Sequence, residues 1–170
     1  MITKIKIKSI YDLISLIVLF LNFYSVFSFQ FELLVFNGLA LIVHKYIKDL
    51  SFGLYPTIFK RPDGAIDCDI FNSGGISSNE SGFPSGHMTS VSFYMNAILL
   101  KSNKELTIKN IFLYNIPCIL MGIARYNKNC HNLIQIIFGY LLGISFAYLL
   151  NILYYTPTPT PIKDLHFLKI

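Results

Sequence analysis

Long apolar runs dominate the chain. The hydrocarbon core of a bilayer is about 30 Å thick and takes about 20 apolar residues per helix. Five stretches meet or approach this length, at about residues 13–29, 33–47, 87–100, 111–124 and 131–154. We therefore expect an all-α integral membrane bundle with about five transmembrane helices, making a multi-pass protein. The two shortest stretches would be tilted or lengthened by their flanks.

Residues 51–84 break this pattern. They include Pro56, Pro62, five glycines and four acidic residues, a composition typical of a loop. A loop longer than 30 residues inside a compact domain usually has a function. We therefore treat residues 1–155 as one transmembrane domain with site loops at 51–87 and 124–135. The Thr/Pro alternation then predicts an extended spacer and a polar tail over 156–170.

The composition supports a membrane protein and argues against nucleic-acid binding. Hydrophobic residues make up 54% of the chain and charged residues 14%, and the mean hydropathy is +0.54. An ordinary soluble domain has about 25% charged residues. The net charge is +5, but on so apolar a chain the basic groups belong at membrane surfaces or beside an anionic ligand.

The cysteines and the N-terminus exclude two further classes. Cys68, Cys118 and Cys130 form no CxxC pair and cannot all be bridged, so we expect neither a zinc cluster nor a disulfide-stapled secreted scaffold. Lysines at positions 4, 6 and 8 precede the first apolar run. That run is longer than the core of a signal peptide and lacks a clear cleavage site, which predicts a retained anchor.

The polar residues that could take part in catalysis or binding are predicted to lie on one face of the membrane. Five crossings would place loop 51–84 and the short loop 125–130 on the same side of the membrane. These loops and the helix starts beside them contain two arginines, two histidines and a Pro-Ser-Gly-His sequence at 84–87. Ionisable groups at the membrane are costly, so their clustering indicates a site.

The residue types suit a bound phosphate. Ser85 is expected to cap a helix whose free N–H groups attract anions, and Gly86 allows close backbone approach. Arg61 and Arg125 carry planar forks that bind phosphate oxygens. His131 and Gln135 are four residues apart on one helix face. The Gln carbonyl can therefore accept from one ring nitrogen and leave the other free to attack.

The order Arg-Pro, Pro-Ser-Gly-His, Arg-x5-His-x3-polar resembles the type 2 phosphatidic acid phosphatase (PAP2) superfamily of membrane lipid phosphatases. That family is expected to carry three signatures: Lys-x6-Arg-Pro, Pro-Ser-Gly-His and Ser-Arg-x5-His-x3-Asp. The second is complete at 84–87. The resemblance covers about residues 60–135.

The chain departs from the other two signatures at three positions. Leu54 stands where the first lysine is expected, Ala124 replaces the serine and Gln135 replaces the aspartate. A lysine at 60 or 48 would have to reach the phosphate from elsewhere. Gln135 also resembles the dolichyl-diphosphatase and glucose-6-phosphatase branches. The family usually has six core spans, one more than the pattern predicts.

The resemblance implies a mechanism of two steps. His131 would attack phosphorus and form a phosphohistidine, and His87 would act as general acid and then general base. Arg61 and Arg125 would stabilise charge on the equatorial oxygens.

Four further residues would bind the substrate: Lys60, Ser85, Gly86 and Gln135. No metal or other cofactor is implied. The expected partners are a phosphorylated lipid and the bilayer.

Two alternatives to the enzyme stay open. A catalytically silent relative that binds lipid headgroups or acts as a scaffold is consistent with Leu54 and Ala124. A channel or transporter predicts charged residues inside spans, and only Glu32 and His44 near span ends fit that description.

The sequence leaves the substrate and the orientation undecided. Phosphatidate, lysophosphatidate, phosphatidylglycerophosphate and polyprenyl diphosphates all fit a site at the membrane surface. The face with the site carries nine of the fourteen Lys and Arg residues, which favours the cytoplasm. Three of these cations, Lys60, Arg61 and Arg125, are assigned to the ligand. Without them the two faces carry six and five Lys and Arg residues, a difference too small to indicate the orientation.

Overall fold

The computed structural model describes residues 7–71, 74–102 and 105–155. The predicted Thr/Pro spacer and tail, and the lysines at 4 and 6, lie outside the described residues. Within those ranges the chain is helical and contains no β-strand, only isolated bridges. The helices are α1 (Ile10–Ser15), α2 (Ile17–Phe27), α3 (Phe31–Leu54), α4 (Pro56–Phe59), α5 (Gly86–Lys101), α6 (Ile108–Asn127) and α7 (Leu133–Leu150), followed by a π-helical turn at Asn151–Tyr155.

The predicted spans correspond to helices, with shifted boundaries. The first span is divided into α1 and α2, which meet at Leu16. The second becomes α3, which continues to Leu54 and so extends into the predicted loop. It ends there because Pro56 disfavours helical geometry in the residue before it and instead begins α4. The short fourth span lengthens to the 20 residues of α6.

The outer surface of the bundle is apolar. Large hydrophobic side chains are exposed along α2, α3, α6 and α7, including Phe27, Val35, Ile108 and Leu141. By length and composition, two helical segments among the described residues qualify to cross a membrane, Ile10–Phe27 and Leu133–Tyr155. An apolar exterior on a helical bundle suits a hydrocarbon environment, where backbone groups must be satisfied within each helix.

The core is built around α5, which contacts α2, α3, α6 and α7. On one side Phe93 and Tyr94 pack with Leu33 and Phe36 of α3 and with Ala147 of α7. A second cluster brings α5 against α2, α6 and α7; it comprises Val18, Met88, Val91, Cys118, Met121 and Ile136. The central position of α5 fixes its N-terminus, where the Pro-Ser-Gly-His sequence lies.

Two glycines allow α7 to lie directly against α5. A Cβ atom at Gly139 would come within 2.5 Å of the Ser85 carbonyl oxygen, and one at Gly143 would collide with the backbone of Thr89. The close approach permits interhelical hydrogen bonds, such as that from the Ser92 hydroxyl to the Tyr140 carbonyl at 2.6 Å. Gly139 and Gly143 therefore serve the packing of α7 on α5. The packing brings the N-termini of α5 and α7 together.

Candidate active site

A cavity of about 260 Å³ lies where the N-terminus of α5 faces α3 and the loops that precede α5 and α7. One part of its wall is apolar and comes from Val18, Leu41 and Ile70. The polar part of the wall comes from His44, Lys48, Arg61, Asp69, His87 and His131. The cavity therefore unites both predicted site loops and both predicted catalytic histidines.

His131 is held in a defined orientation just before α7. Its Nδ1 lies 2.8 Å from the Gly82 carbonyl oxygen and 3.3 Å from Gln135 Oε1. Since both neighbours are acceptors, Nδ1 carries the hydrogen and donates it, which leaves Nε2 with a free lone pair. Burial, and then the charges of Arg125 and Arg61, lower the pKa of His131 well below its usual range. The neutral imidazole is the form that can attack phosphorus.

Gln135 orients His131, but it is the more distant of the two acceptors. Its amide nitrogen donates to the Lys60 carbonyl at 2.9 Å, and its Oε1 accepts from the Asn132 backbone at 3.2 Å. Sequence reasoning missed the Gly82 carbonyl. A backbone acceptor leaves no side-chain signature in the sequence. In the structure a Cβ at Gly82 would lie 2.5 Å from Gln135 Oε1, so glycine permits this close approach.

The start of α5 presents unpaired polar atoms. Ser85 occupies the N-cap position, but its hydroxyl makes no capping hydrogen bond, so the predicted cap is wrong in its side-chain part. The hydroxyl is instead buried without a partner, as is His87 Nε2. The positive charges of Arg125 and Arg61 act on the His87 ring. Gly86 also lines the cavity.

The two arginines differ in their surroundings. Arg61 lines the cavity and is only 8% exposed, with its Nη2 3.8 Å from Glu80 Oε2. Burial lowers its pKa, an effect that the Glu80 and Asp69 carboxylates oppose. Arg125 is fully buried behind the cavity wall, where it donates to the Ser15 hydroxyl at 3.3 Å and the Cys68 carbonyl at 2.6 Å.

Unsatisfied buried polar atoms concentrate at this site. Among the described residues six buried side-chain atoms have no hydrogen-bond partner. One is Asn37 Oδ1, away from the site; the other five are Arg61 Nε and Nη1, Ser85 Oγ, His87 Nε2 and Arg125 Nε. Each such atom costs about 1–3 kcal/mol when it lacks a hydrogen bond. Of these residues, Arg61 and His87 line the cavity, and a guanidinium there fits the oxygens of a phosphate group.

The two lysines that the sequence offered for the phosphate, at positions 60 and 48, have different surroundings. Lys60 does not line the cavity: its Nζ donates to Asp63 at 2.9 Å and its side chain is 41% exposed. Lys48 of α3 lines the cavity instead. In the described part of the chain, no group of three or more His, Cys, Asp or Glu side chains is arranged to hold a metal ion. A metal-independent reaction stays a prediction.

Comparison with known proteins agrees with this geometry. The sequence model of the PAP2 superfamily matches residues 29–159, a range that includes both site loops. The chain belongs to the PAP2 superfamily. A search of curated proteins and a search of solved structures found no match. Membership shows a helical membrane fold and supports a phosphatase-type function in general terms.

A disulfide joins the two site loops of this PAP2 superfamily member. Cys68 and Cys130 are bonded across 62 residues, while Cys118 is free and buried. The Cys68 carbonyl accepts from Arg125, and Cys130 directly precedes His131. A single bridge agrees with the expectation that the three cysteines cannot all be bridged, but the sequence did not predict which two would pair. Cysteines this far apart along the chain give no local indication that they will meet.

Removing the disulfide should destabilise the protein and weaken the site. A loop of this length corresponds to about 4 kcal/mol of unfolded-state entropy. We expect the Cys68→Ser, Cys130→Ser double variant to unfold at a lower temperature in detergent and to release phosphate more slowly. Reductant should lower the thermal unfolding midpoint of the wild type and leave the midpoint of the double variant unchanged. Equal midpoints for oxidised wild type and double variant would contradict this assignment.

The buried neutral His131 should make stability depend on pH. Below about pH 6.5 an unfolded histidine binds a proton that folded His131 does not, so unfolding becomes more favourable as the pH falls. The free energy of unfolding then falls by at most about 1.4 kcal/mol for each pH unit. Between pH 7 and 5, His131→Asn should lose less stability than the wild type, because both proteins share every other titrating group. Parallel stability curves would show that His131 titrates normally.

Proposed function

We propose that this protein is a multi-pass membrane phosphatase that hydrolyses a phosphate monoester or diphosphate on a lipid, with His131 as nucleophile. The observation that carries the proposal is the set of unpaired buried polar atoms of Arg61, Ser85 and His87 beside an oriented, neutral imidazole. A scaffold has no need of such costly atoms, whereas a phosphoryl group would satisfy them.

The first step would transfer the phosphoryl group to His131. Its Nε2 lone pair forms the N–P bond while the bond from phosphorus to the leaving oxygen breaks. His87 would enter this step protonated, a form that the bound phosphate anion favours, and would give the leaving oxygen its proton. The hydrogen bond from Nδ1 to the Gly82 carbonyl stabilises the positive charge that develops on the ring. Guanidinium donors from Arg61 bind the equatorial oxygens.

The second step would hydrolyse the phosphohistidine. His87, now neutral, takes a proton from water as the water oxygen attacks phosphorus and the N–P bond breaks. Inorganic phosphate leaves, and both histidines return to their starting protonation states. No group outside the chain is needed to balance the protons.

A lipid substrate fits a cavity whose lining is partly cationic and partly apolar. The lining combines the cationic groups with the apolar side chains of Val18 of α2 and Leu41 of α3. Since α2 and α3 have apolar outer faces, an alkyl or prenyl chain would pass from the cavity toward the bilayer without crossing water. No described residue selects between phosphatidate, lysophosphatidate, phosphatidylglycerophosphate and polyprenyl diphosphates.

The enzyme is tested by phosphate release in detergent micelles, with dioleoyl phosphatidate and farnesyl diphosphate as probes and EDTA present. The wild type should release phosphate and trap ³²P as an acid-labile phosphoprotein, since its nucleophile is neutral and oriented. His131→Ala should lose both activities by more than about a hundredfold. Tyr126→Phe, an exposed change near the same loop, should retain them. Binding without turnover by the wild type would favour the silent, headgroup-binding relative.

We also propose that the site faces an oxidising compartment rather than the cytoplasm. Disulfides persist in oxidising compartments and are rare in the cytosol. The Cys68–Cys130 bridge lies within the site loops, so both loops would share that environment. The excess of Lys and Arg on this face does not oppose the orientation, because part of it belongs to the anion site.

Orientation can be tested with single introduced cysteines at exposed positions. Asp63→Cys reports on the site loop and Lys109→Cys on the opposite end of the bundle. In intact cells a membrane-impermeant maleimide should label position 63, whereas position 109 should react only after permeabilisation. The reverse pattern would place the site in the cytoplasm and refute the proposed orientation.

A further inference from the structure

We propose that His44 on α3 is a positioning residue for the start of α5, where it holds the backbone that leads into His87. The inference rests on the proposed function, because it assigns a role beside the same site. His44 is half-buried and lines the cavity together with His87 and His131. An imidazole within a membrane helix is costly without a partner, and the proposed two-step reaction gives this third histidine no role.

The partner of His44 is the carbonyl group of Pro84. The Nε2 atom of the ring lies 3.0 Å from the Pro84 carbonyl oxygen, so this nitrogen carries a hydrogen and donates it. Proline has no backbone N–H through which it could be held. The hydrogen-bond ladder of α5 begins with the Ser85 carbonyl, which accepts from the Thr89 N–H at 3.0 Å. The hydrogen bond from His44 therefore fixes a residue that lies just before the ladder.

The His44 ring also packs against the first residue of α5. A Cβ at Gly86 would lie 3.1 Å from His44 Cε1, so glycine there lets the imidazole lie directly against the backbone. The neighbouring Ser85 N–H donates to the Gln135 carbonyl of α7 at 3.0 Å. Residues 84–86 are thus held by one hydrogen bond from α3 and one to α7. Loss of the His44 side chain would remove the first of these and open space beside Gly86.

The position of this segment matters for the reaction because the capping side chain does not hold it. The Ser85 hydroxyl makes no capping hydrogen bond and is buried without a partner, as is His87 Nε2. A general acid must lie within hydrogen-bond distance of the leaving oxygen. Misplacement by about 1 Å can lower a rate about a hundredfold. His44 would then act on the reaction through His87.

The test compares three variants, His44→Leu, His44→Asn and His44→Gln, with Tyr46→Leu, which changes an exposed aromatic residue on the same helix. Leucine removes the donor, and asparagine carries its amide on a side chain too short to reach Pro84. Glutamine has an amide Nε2 as many bonds from Cα as the ring Nε2, so it can restore the hydrogen bond.

Turnover is measured with the lipid that the wild type hydrolyses best. In His44→Leu and His44→Asn, kcat should fall by about tenfold to a hundredfold, because His87 is misplaced. KM should change less, since the groups that bind the phosphate remain. His44→Gln should recover most of kcat, and Tyr46→Leu should match the wild type.

Decay of the ³²P-phosphoprotein during a chase with unlabelled substrate separates positioning from loss of folded protein. The decay is a first-order process that only labelled, active molecules report. Its rate constant should fall in His44→Leu and His44→Asn, because His87 activates the water in the second step. Loss of folded protein would lower the amount of label and leave the rate constant unchanged.

Hydrogen exchange tests the structural half of the inference without turnover. The peptide that contains residues 83–88 should exchange faster in His44→Leu and His44→Asn than in the wild type, with the rest of the bundle unchanged. An unchanged decay constant in both variants would overturn the inference, as would exchange that is faster throughout the bundle in both. A wild type that turns over no lipid would refute the proposed enzyme. Faster exchange confined to residues 83–88 would in that case still support the role of His44 at the start of α5.

Discussion

The site depends on the close approach of two helix beginnings. The Ser85 backbone N–H donates to the Gln135 carbonyl at 3.0 Å, which ties the residue before α5 to the first turn of α7. Gly139 and Gly143 make this hydrogen bond attainable, because any side chain there would separate the helices. His87 and His131 belong to these two beginnings. Without the contact, each histidine would lie at the mouth of a separate helix.

The same arrangement places several positive charges close together inside the fold. Arg125 is fully buried, and its two Nη atoms donate to groups from distant parts of the chain, the Ser15 hydroxyl and the Cys68 carbonyl. Nearby, Lys128 forms a 2.7 Å ion pair with Asp12, which anchors α1 to the end of α6. The N-terminal helix thus supports the site from behind, and the disulfide holds the loop that carries the Cys68 carbonyl. These contacts stabilise a cluster of cations that would otherwise repel one another.

Sequence reasoning recovered the parts of this molecule that leave local patterns. Apolar runs identified the helices, and motif order identified Arg61, His87 and His131, which the structure brings to one cavity. It did not recover features that depend on three-dimensional proximity. The Cys68–Cys130 bridge joins residues far apart in sequence, and the Gly82 carbonyl that orients His131 is a backbone atom. Helix boundaries also shifted, since α3 continues past the loop start expected from composition alone.

Gln135 illustrates how a departure from a motif can be compatible with the same chemistry. A carboxylate at this position would accept from His131 Nδ1, but it has no hydrogen to donate to the Lys60 carbonyl. Glutamine does both, so it links the loop before Arg61 to the helix that begins after His131. The Gly82 carbonyl already provides the shorter hydrogen bond to the ring. Orientation of the His131 ring therefore does not require a negative charge at position 135, and the glutamine contributes a connection between loops that aspartate cannot make.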